Sequence, residues 1–118
     1  MKTFPQQIAS QLGFTRIGPA VQLPIAETAA TGNTTLVSIA AGERFVIESI
    51  ELVPGGAGGF TLRSGATGIT GAIAGVAGSQ YVFCEKFGQA DGDDIVLNRT
   101  DSIAIAGSLV YRVLSNPA

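Results

Sequence analysis

The fold of this chain is decided by the stretch RFVIESIELV, residues 44–53, which is rich in β-branched and other apolar residues and contains neither glycine nor proline. This composition is typical of a β-strand. A strict period of two fails over the whole stretch, because Glu48 and Glu51 stand three positions apart and therefore fall on opposite faces. One extra residue would restore the alternation, so we predict a β-bulge near Glu48–Ser49.

Seven further runs of the same kind extend from this stretch in both directions, separated by connections rich in Gly, Pro, Asn and Asp. In GFTLRS, Phe60 and Leu62 face one way and Thr61 and Arg63 the other, as a strand with one buried face requires. The eight runs cover residues 34–40, 44–53, 59–64, 68–74, 79–86, 94–98, 102–106 and 108–114. They predict an all-β fold, an eight-stranded antiparallel β-sandwich of the jelly-roll-like kind.

Residues 1–33 differ from the rest, because their apolar residues are scattered and prolines recur. We divide the chain into an extended N-terminal arm, residues 1–33, and a β-sandwich domain, residues 34–118. One short helix is expected in FPQQIASQLGF, ended by Gly13. The arm is too apolar for a solvated linker, so we expect it to pack on an open edge of its own sandwich or on a partner. The residues expected to bind a partner are Phe4, Ile8, Leu12, Phe14 and Ile17.

Composition removes most chemistries from consideration. The 118 residues suffice for one domain, and a formal charge of -2 provides no field for a phosphate backbone, so nucleic acid is not an expected partner. The chain has no His and one Cys, which removes Ser-His-Asp and Cys-His catalysis, His-based zinc sites and an intrachain disulfide. We therefore expect a protein that is not an enzyme, with no catalytic residues, no cofactor and no metal centre.

The chain is apolar and carries little charge. Its mean hydropathy is +0.37 and 14% of its residues are charged, against about 25% in average soluble proteins. We infer that another chain covers part of its apolar surface, which favours an oligomer. No run of about 18 apolar residues occurs and the first residues lack the pattern of a secretory signal, so we expect synthesis in the cytoplasm and no membrane partner.

Three local patterns could carry chemistry. Asp91, Asp93 and Asp94 lie close together, as a loop that binds a hard cation would require, but their spacing is not that of an EF-hand and an ordinary turn is the favoured interpretation. Cys84 lies in the strand-like YVFCEK, where a lone cysteine is more often a small core hydrophobe than a nucleophile. The glycine-rich PGGAGG, residues 54–59, lacks the ending of a phosphate-binding loop and is interpreted as a flexible hairpin loop.

Two longer blocks resemble the small jelly-roll proteins of tailed bacteriophage particles. They are AAGERFVIESIELVPGGAGGFTLRSGATGITGAIAGVAGSQYVF at residues 40–83 and GDDIVLNRTDSIAIAGSLVYRVL at residues 92–114. The resemblance covers residues 34–114 and lies in strand order and style, without an invariant chemical motif. It implies a virion structural protein: a capsid decoration or cement protein, commonly a homotrimer, that sits on the capsid surface and clamps neighbouring subunits of the major capsid protein.

Two alternatives stay open beside this expectation. The same sandwich could serve as an adaptor of a phage tail or head fibre. A carbohydrate-binding jelly roll would bind sugar through aromatic platforms, which 6 Phe, 2 Tyr and no Trp supply poorly. As a capsid decoration protein or as a tail or head-fibre adaptor, the protein would be made in the host cytoplasm and would then join the particle.

Overall fold

The computed structural model describes residues 3–116 and is built almost entirely from β-strands. In chain order the elements are α1 (Phe4–Leu12), β1 (Arg16–Ile17), β2 (Val21–Val37), β3 (Arg44–Pro54), β4 (Gly58–Ser64), β5 (Thr67–Gly68), β6 (Ile73–Gly75), β7 (Tyr81–Phe87) and β8 (Ile95–Ser115). All pairings between these strands are antiparallel. The prediction of an eight-stranded, antiparallel, all-β fold is confirmed. Residues 1, 2, 117 and 118 of the predicted arm and sandwich lie outside the described residues.

The long strand β8 is the centre of the sheet. On one side it pairs with β2, from Val21 opposite Tyr111 to Val37 opposite Ile95, and β1 continues that pairing at the C-terminal end of β8. On the other side β3 pairs with the second half of β8, and β4 pairs with the first half. The hairpin predicted at residues 54–59 is therefore wrong, because the strands that this segment links pair with β8 and not with each other. β7 lies outside β3, whereas β5 and β6 lie outside β4. The sheet therefore has a β3 half and a β4 half, joined by β8 and β2.

The two halves pack against each other across one hydrophobic core. Between Glu27 and Gly32 the register of β2 against β8 shifts twice, in the region that separates the β3 half from the β4 half. The core cluster draws on both halves: Phe45, Ile47, Ile50 and Leu52 from β3, Phe60 and Leu62 from β4, and Ile95, Leu97, Ile105 and Leu109 from β8. The two layers of the predicted jelly-roll-like sandwich are thus the two halves of one folded sheet.

β3 matches the predicted strand at residues 44–53, and the predicted bulge is confirmed. Ile47 lies opposite Tyr111 and Ser49 lies opposite Val110, so Glu48 is the extra residue of β3 against β8. The bulge lets the fully buried Ile47 and Ile50 both face the core, although they are an odd number of residues apart.

The division of the C-terminal strands was predicted wrongly. One continuous strand, β8, replaces the three predicted runs at 94–98, 102–106 and 108–114. Asp101, which is polar, and Gly107, further along the chain, suggested connections between separate strands, but the backbone stays extended through both positions. Gly107 is needed there for another reason: a Cβ atom would lie 1.8 Å from the carbonyl oxygen of Glu51 on β3, so only glycine allows the two strands to approach so closely.

Two other strand boundaries also differ from the prediction. The run at 68–74 is split into β5 and β6, because Thr70 turns back and accepts a hydrogen bond on its hydroxyl from the backbone N–H of Leu62, at 3.1 Å. The run at 34–40 begins much earlier, at Val21. Residues 21–33 of β2 escaped the sequence analysis because Pro24 interrupts the alternation of Val21, Leu23 and Ile25, and the side chains that follow are small or polar and mostly exposed.

The N-terminal segment begins with the predicted helix. α1 is ended by Gly13, whose φ of 80° is the left-handed conformation that glycine adopts without strain. At its other end, the backbone N–H of Thr3 donates a hydrogen bond to the side chain of Gln6 at 2.8 Å. No helix among residues 3–116 is long and apolar enough to span a membrane.

Candidate interaction surface

The five residues predicted to bind a partner lie together at one end of the β3 half. Ile8 and Phe14 are buried, with 7% and 8% of their surface exposed, and pack against the sheet residues Val46 and Leu114. Partly buried neighbours complete this contact: Phe4, Leu12 and Phe87. Ile17, on β1, remains 36% exposed. In this conformation most of the group covers the chain's own sheet, and its contact with a partner stays a prediction.

An ion pair lies beside α1 and depends on the β3 bulge. The bulged residue Glu48 accepts a hydrogen bond from the Nε of Arg112 on β8, and both side chains are about one third exposed. Arg112 also donates to the carbonyl oxygen of Gly18 at 3.1 Å. The guanidinium group therefore holds the segment between β1 and β2 against the sheet. An open cleft of about 330 Å³ separates this pair from the start of α1.

The three aspartates predicted as a turn or an ion site are used separately. Asp91 accepts a hydrogen bond from Arg44 at 2.5 Å, Asp93 accepts one from the Ser64 hydroxyl at 2.8 Å, and Asp94 accepts one at 2.8 Å from a backbone N–H. That last donor is Ile39, which precedes β3. The carboxylates thus point to three different parts of the fold and tie the loop before β8 to them. Within residues 3–116 no cluster of three or more His, Cys, Asp or Glu side chains is placed to hold a metal ion.

Arg99 is a buried polar residue that the sequence analysis did not single out. Only 3% of its surface is exposed, and its guanidinium group donates to the carbonyl oxygens of Thr28 and Ile103 at 2.6 and 2.8 Å and to the Thr34 hydroxyl at 2.9 Å. Its Nε has no hydrogen-bond partner. Arg99 fills the gap where β2 and β8 lose register, and it satisfies carbonyl groups that the broken ladder leaves free. A signal was present in the sequence, because Arg99 occupies a core-facing position after Ile95 and Leu97 in the alternation of β8.

The two outer faces of the folded sheet differ in polarity. On the β3 half, several side chains that point away from the core are small and apolar, and the polar Ser49, Glu51 and Ser108 lie among them. We call this surface the α1 face and define it by Val53, Val82, Cys84, Ala106 and Val110. α1 covers one end of it and leaves the rest uncovered. An open, mainly apolar cleft of about 320 Å³ continues this surface along Val53 and the alanines of β2 and β8.

The outer face of the β4 half is polar by comparison. It presents a row of hydroxyl and amide groups with one cation: Asn33, Thr35, Thr61, Arg63 and Asn98. The amide of Asn98 donates to the side-chain oxygen of Asn33 at 2.7 Å. Water can hydrate this face without loss, whereas the uncovered apolar part of the α1 face gains from burial. The α1 face is therefore the candidate interaction surface.

Comparison with known proteins gives no family assignment. No family model matches the chain, and no curated protein matches it. Among solved structures, the coat protein of tobacco streak virus in a C2 crystal form is 15% identical over 84% of this chain and 86% of that one, with a TM-score of 0.49. The dimer of the tobacco streak virus coat protein gives 16% identity, the same 84% and 86% coverage and a TM-score of 0.49.

A third solved structure is a virus-like particle of the extra small virus of the giant freshwater prawn Macrobrachium rosenbergii. It is 14% identical over 85% of this chain and 80% of that one, with a TM-score of 0.44. TM-scores below 0.5 do not establish a common fold.

Proposed function

We propose that the chain is a structural protein of a virus particle, a capsid decoration protein that binds the outer shell and clamps neighbouring subunits of the major capsid protein. The observation that carries this proposal is the α1 face, whose small apolar side chains the chain itself covers only at one end. Residues 34–114 resemble small jelly-roll proteins of tailed bacteriophages, and this resemblance implies that the partner of the surface is the major capsid protein. Burial of Val53, Ala106 and Val110 against a capsid would supply the binding energy.

A clamp of this kind works by buried area and needs no catalytic group. Packed nucleic acid inside a particle loads the joints between capsid subunits. A protein that spans a joint adds contacts that must be separated before the joint opens, and so stabilises the closed shell by mass action. The modest charge of the chain, -2, suits a shell contact that is mainly apolar.

The N-terminal residues contribute to this proposal as a second contact. Ile17 is exposed beside the α1 face, and Phe4, Ile8, Leu12 and Phe14 could reach a capsid subunit if α1 left its place on Val46 and Leu114. Since α1 is held by side-chain packing at one end of the sheet, its release would leave the main core cluster intact. A homotrimer is the expected state of the protein, and light scattering of the purified chain would measure its mass directly.

The proposal is tested on purified particles. Mass spectrometry should find the chain in a copy number comparable with that of the major capsid protein, because a decoration protein occupies every equivalent joint. A few copies per particle would overturn the clamp and favour the tail or fibre adaptor.

A pair of matched variants tests the surface itself. Ala106→Asp places a carboxylate on the α1 face, and Thr61→Asp places one on the polar face of the β4 half. Ala106→Asp should abolish attachment to particles that lack the protein, whereas Thr61→Asp should attach like the wild type. Equal attachment of both variants would show that the α1 face is not the capsid contact.

A further inference from the structure

The folded sheet has two long edges among its described residues, and they are not equally open. One edge is β2, which pairs only with β8; Pro24 removes a backbone donor from it and two register shifts between Glu27 and Gly32 break its line. Proline and irregular register are the devices that protect strand edges from pairing with other chains. The other edge is β7, which pairs only with β3 and contains neither proline nor glycine.

The two most exposed large apolar side chains among the described residues lie at or next to this second edge, whereas Ile17 and Val21, which are less exposed, lie on β1 and β2. Val76 and Val82 are each 58% exposed, the highest values among the large hydrophobic residues described. Val82 lies on β7, and Val76 lies in the preceding loop, where its backbone N–H donates to the hydroxyl of Tyr81 at 3.0 Å. Cys84, predicted as a core residue, is instead exposed and follows on the same outer side of β7 as Val82. An unpaired strand edge and an uncovered apolar patch thus coincide.

We propose that β7 is a contact between two copies of this chain, paired antiparallel about a twofold axis. The unpaired N–H and C=O groups of an edge strand are matched by another strand, and the pattern of β7 is self-complementary. At Glu85 a φ of 57° interrupts the regular extended backbone of β7, which stays paired with β3 as far as Phe87. A symmetric pairing of Tyr81 to Glu85 places Phe83 on the axis.

In this register each Val82 lies opposite Cys84 of the second copy, apolar against apolar on the α1 face. Tyr81 lies opposite Glu85 of the second copy, so the two Glu85 carboxylates are offset by four residues, or about 13 Å along the strands. That separation exceeds the screening length of about 8 Å at physiological salt, so their repulsion is small. Moving the axis to Cys84 would halve the offset, and moving it to Glu85 would place the two acids directly opposite each other.

The contact is small and therefore weak on its own. Five paired residues and two valines per copy cover less than the roughly 800 Å² per partner of a stable interface. We expect association that depends strongly on concentration and that becomes effective when many copies lie side by side. The pairing joins copies in twos, so it adds to a threefold contact without replacing it. It also stands independently of the proposed virion function.

The register can be tested by mixing two single-cysteine proteins. In the proposed pairing opposite Cβ atoms lie about 4.5–5.5 Å apart, whereas residues offset by two lie about 7–8 Å apart. Wild-type chains, which carry Cys84 alone, should therefore not form disulfide dimers readily, and neither should the double variant Val82→Cys, Cys84→Ser. A mixture of the two under mild oxidation should form a heterodimer linked between positions 82 and 84.

The control replaces Thr35, on the β2 edge, by cysteine in the Cys84→Ser background. Mixed with wild type, this protein should give no more dimer than random collision gives. If the 82–84 mixture crosslinks no better than the control at any protein concentration up to the millimolar range, the β7 pairing is excluded. Strong homodimers of the wild type would also overturn the register, because they would place Cys84 on the axis.

A second measurement does not depend on cysteine chemistry. Val82→Lys puts a cation on the open edge, and Thr35→Lys puts one on the protected edge; both positions are exposed, so both variants should fold. Sedimentation equilibrium should show at least about tenfold weaker self-association for Val82→Lys, and wild-type behaviour for Thr35→Lys. Equal association constants for the three proteins would contradict the proposal.

Discussion

At the scale of single residues, two positions hold the central strands in place by opposite means. Gly107 has no side chain, which is required because β8 passes so close to β3 that no Cβ atom fits beside the carbonyl oxygen of Glu51. The φ of Gly107 is 153°. Arg99 holds the strands by what its side chain supplies, since its guanidinium group meets carbonyl oxygens at the point where the ladder of β2 and β8 is broken. Both lie in β8, the strand that joins the two halves.

Replacement of Gly107 should be among the most damaging substitutions in the chain. Gly107→Ala forces β8 and β3 apart, because the added carbon would lie 1.8 Å from a backbone oxygen. We expect a loss of about 4 kcal/mol or more in the free energy of unfolding, or failure to fold. Gly71→Ala is the control, since a Cβ there meets nothing within 4 Å. Urea unfolding of both variants measures the difference, and similar midpoints would contradict the close approach.

Replacement of Arg99 tests its role as a donor to buried carbonyls. Arg99→Met keeps much of the side-chain volume but leaves the oxygens of Thr28 and Ile103 without their donor. We expect a loss of about 2–4 kcal/mol, since each unsatisfied buried group costs about 1–3 kcal/mol. Arg63→Met, on the hydrated face of the β4 half, should change stability by less than about 0.5 kcal/mol. A neutral Arg99→Met would show that these bonds contribute nothing net.

At the scale of elements, the loop before β8 behaves as a structural tie. Its three aspartates each accept a hydrogen bond from a different partner: Arg44, Ser64 and the backbone of Ile39. Carboxylates fixed in this way do not converge on one point, as the six to eight oxygen ligands of calcium must. The side chains that suggested a possible ion site are therefore engaged in holding the ends of β3 and β4 near β8.

Calcium should consequently leave the stability of the protein unchanged. If calcium bound to a site whose dissociation constant is about one hundredth of the added calcium concentration, the free energy of unfolding would rise by about 2.7 kcal/mol. The melting temperature would then rise by several degrees. We expect the same melting temperature in excess Ca²⁺ and in chelator. Asp94→Ala should lower it in both, because Ile39 N–H loses its acceptor, and Asp94→Asn should lower it less. A rise in calcium that Asp94→Ala removes would identify an ion site after all.

At the scale of the whole molecule, the N-terminal residues belong to a compact body. The accessible surface is 5926 Å², close to the roughly 6,000 Å² expected for a folded monomer of this mass. α1 contributes to a small cluster at one end, whereas β2 supplies Ile25 to the main core and pairs along the length of β8. Residues 21–33 of the predicted arm and residues 34–37 of the predicted sandwich thus form one strand.

Two truncations separate these contributions. Removal of residues 1–13 takes away α1 and exposes Val46 and Leu114, and we expect a less stable protein that still unfolds cooperatively. Removal of residues 1–33 also takes away Ile25 and the carbonyl of Thr28 that Arg99 binds, and we expect no cooperative fold. Near-ultraviolet circular dichroism during urea unfolding measures both. A folded 34–118 fragment would support the division into an independent sandwich and an arm.

Much of the architecture could be predicted because local pattern and burial agree. The composition of residues 44–53 indicated a strand, and the spacing of Glu48 and Glu51 located its bulge, since each added residue shifts the alternation by one position. Gly13 marked the end of α1. Residues 21–33 of β2 could not be found in this way, because Pro24 interrupts their short apolar alternation and the rest of the segment is mostly exposed.

The sequence by itself therefore determined the class of fold, the bulge in β3 and the end of the helix, all of which follow from the order of neighbouring residues. The tertiary structure alone decided that β8 is continuous, that the two layers are one sheet, and that Arg99 lies buried at the broken ladder. It also decided which face stays apolar and which edge stays open. These features depend on contacts between residues far apart in the chain, such as Gly107 with Glu51 and Arg99 with Thr28, which no local pattern records.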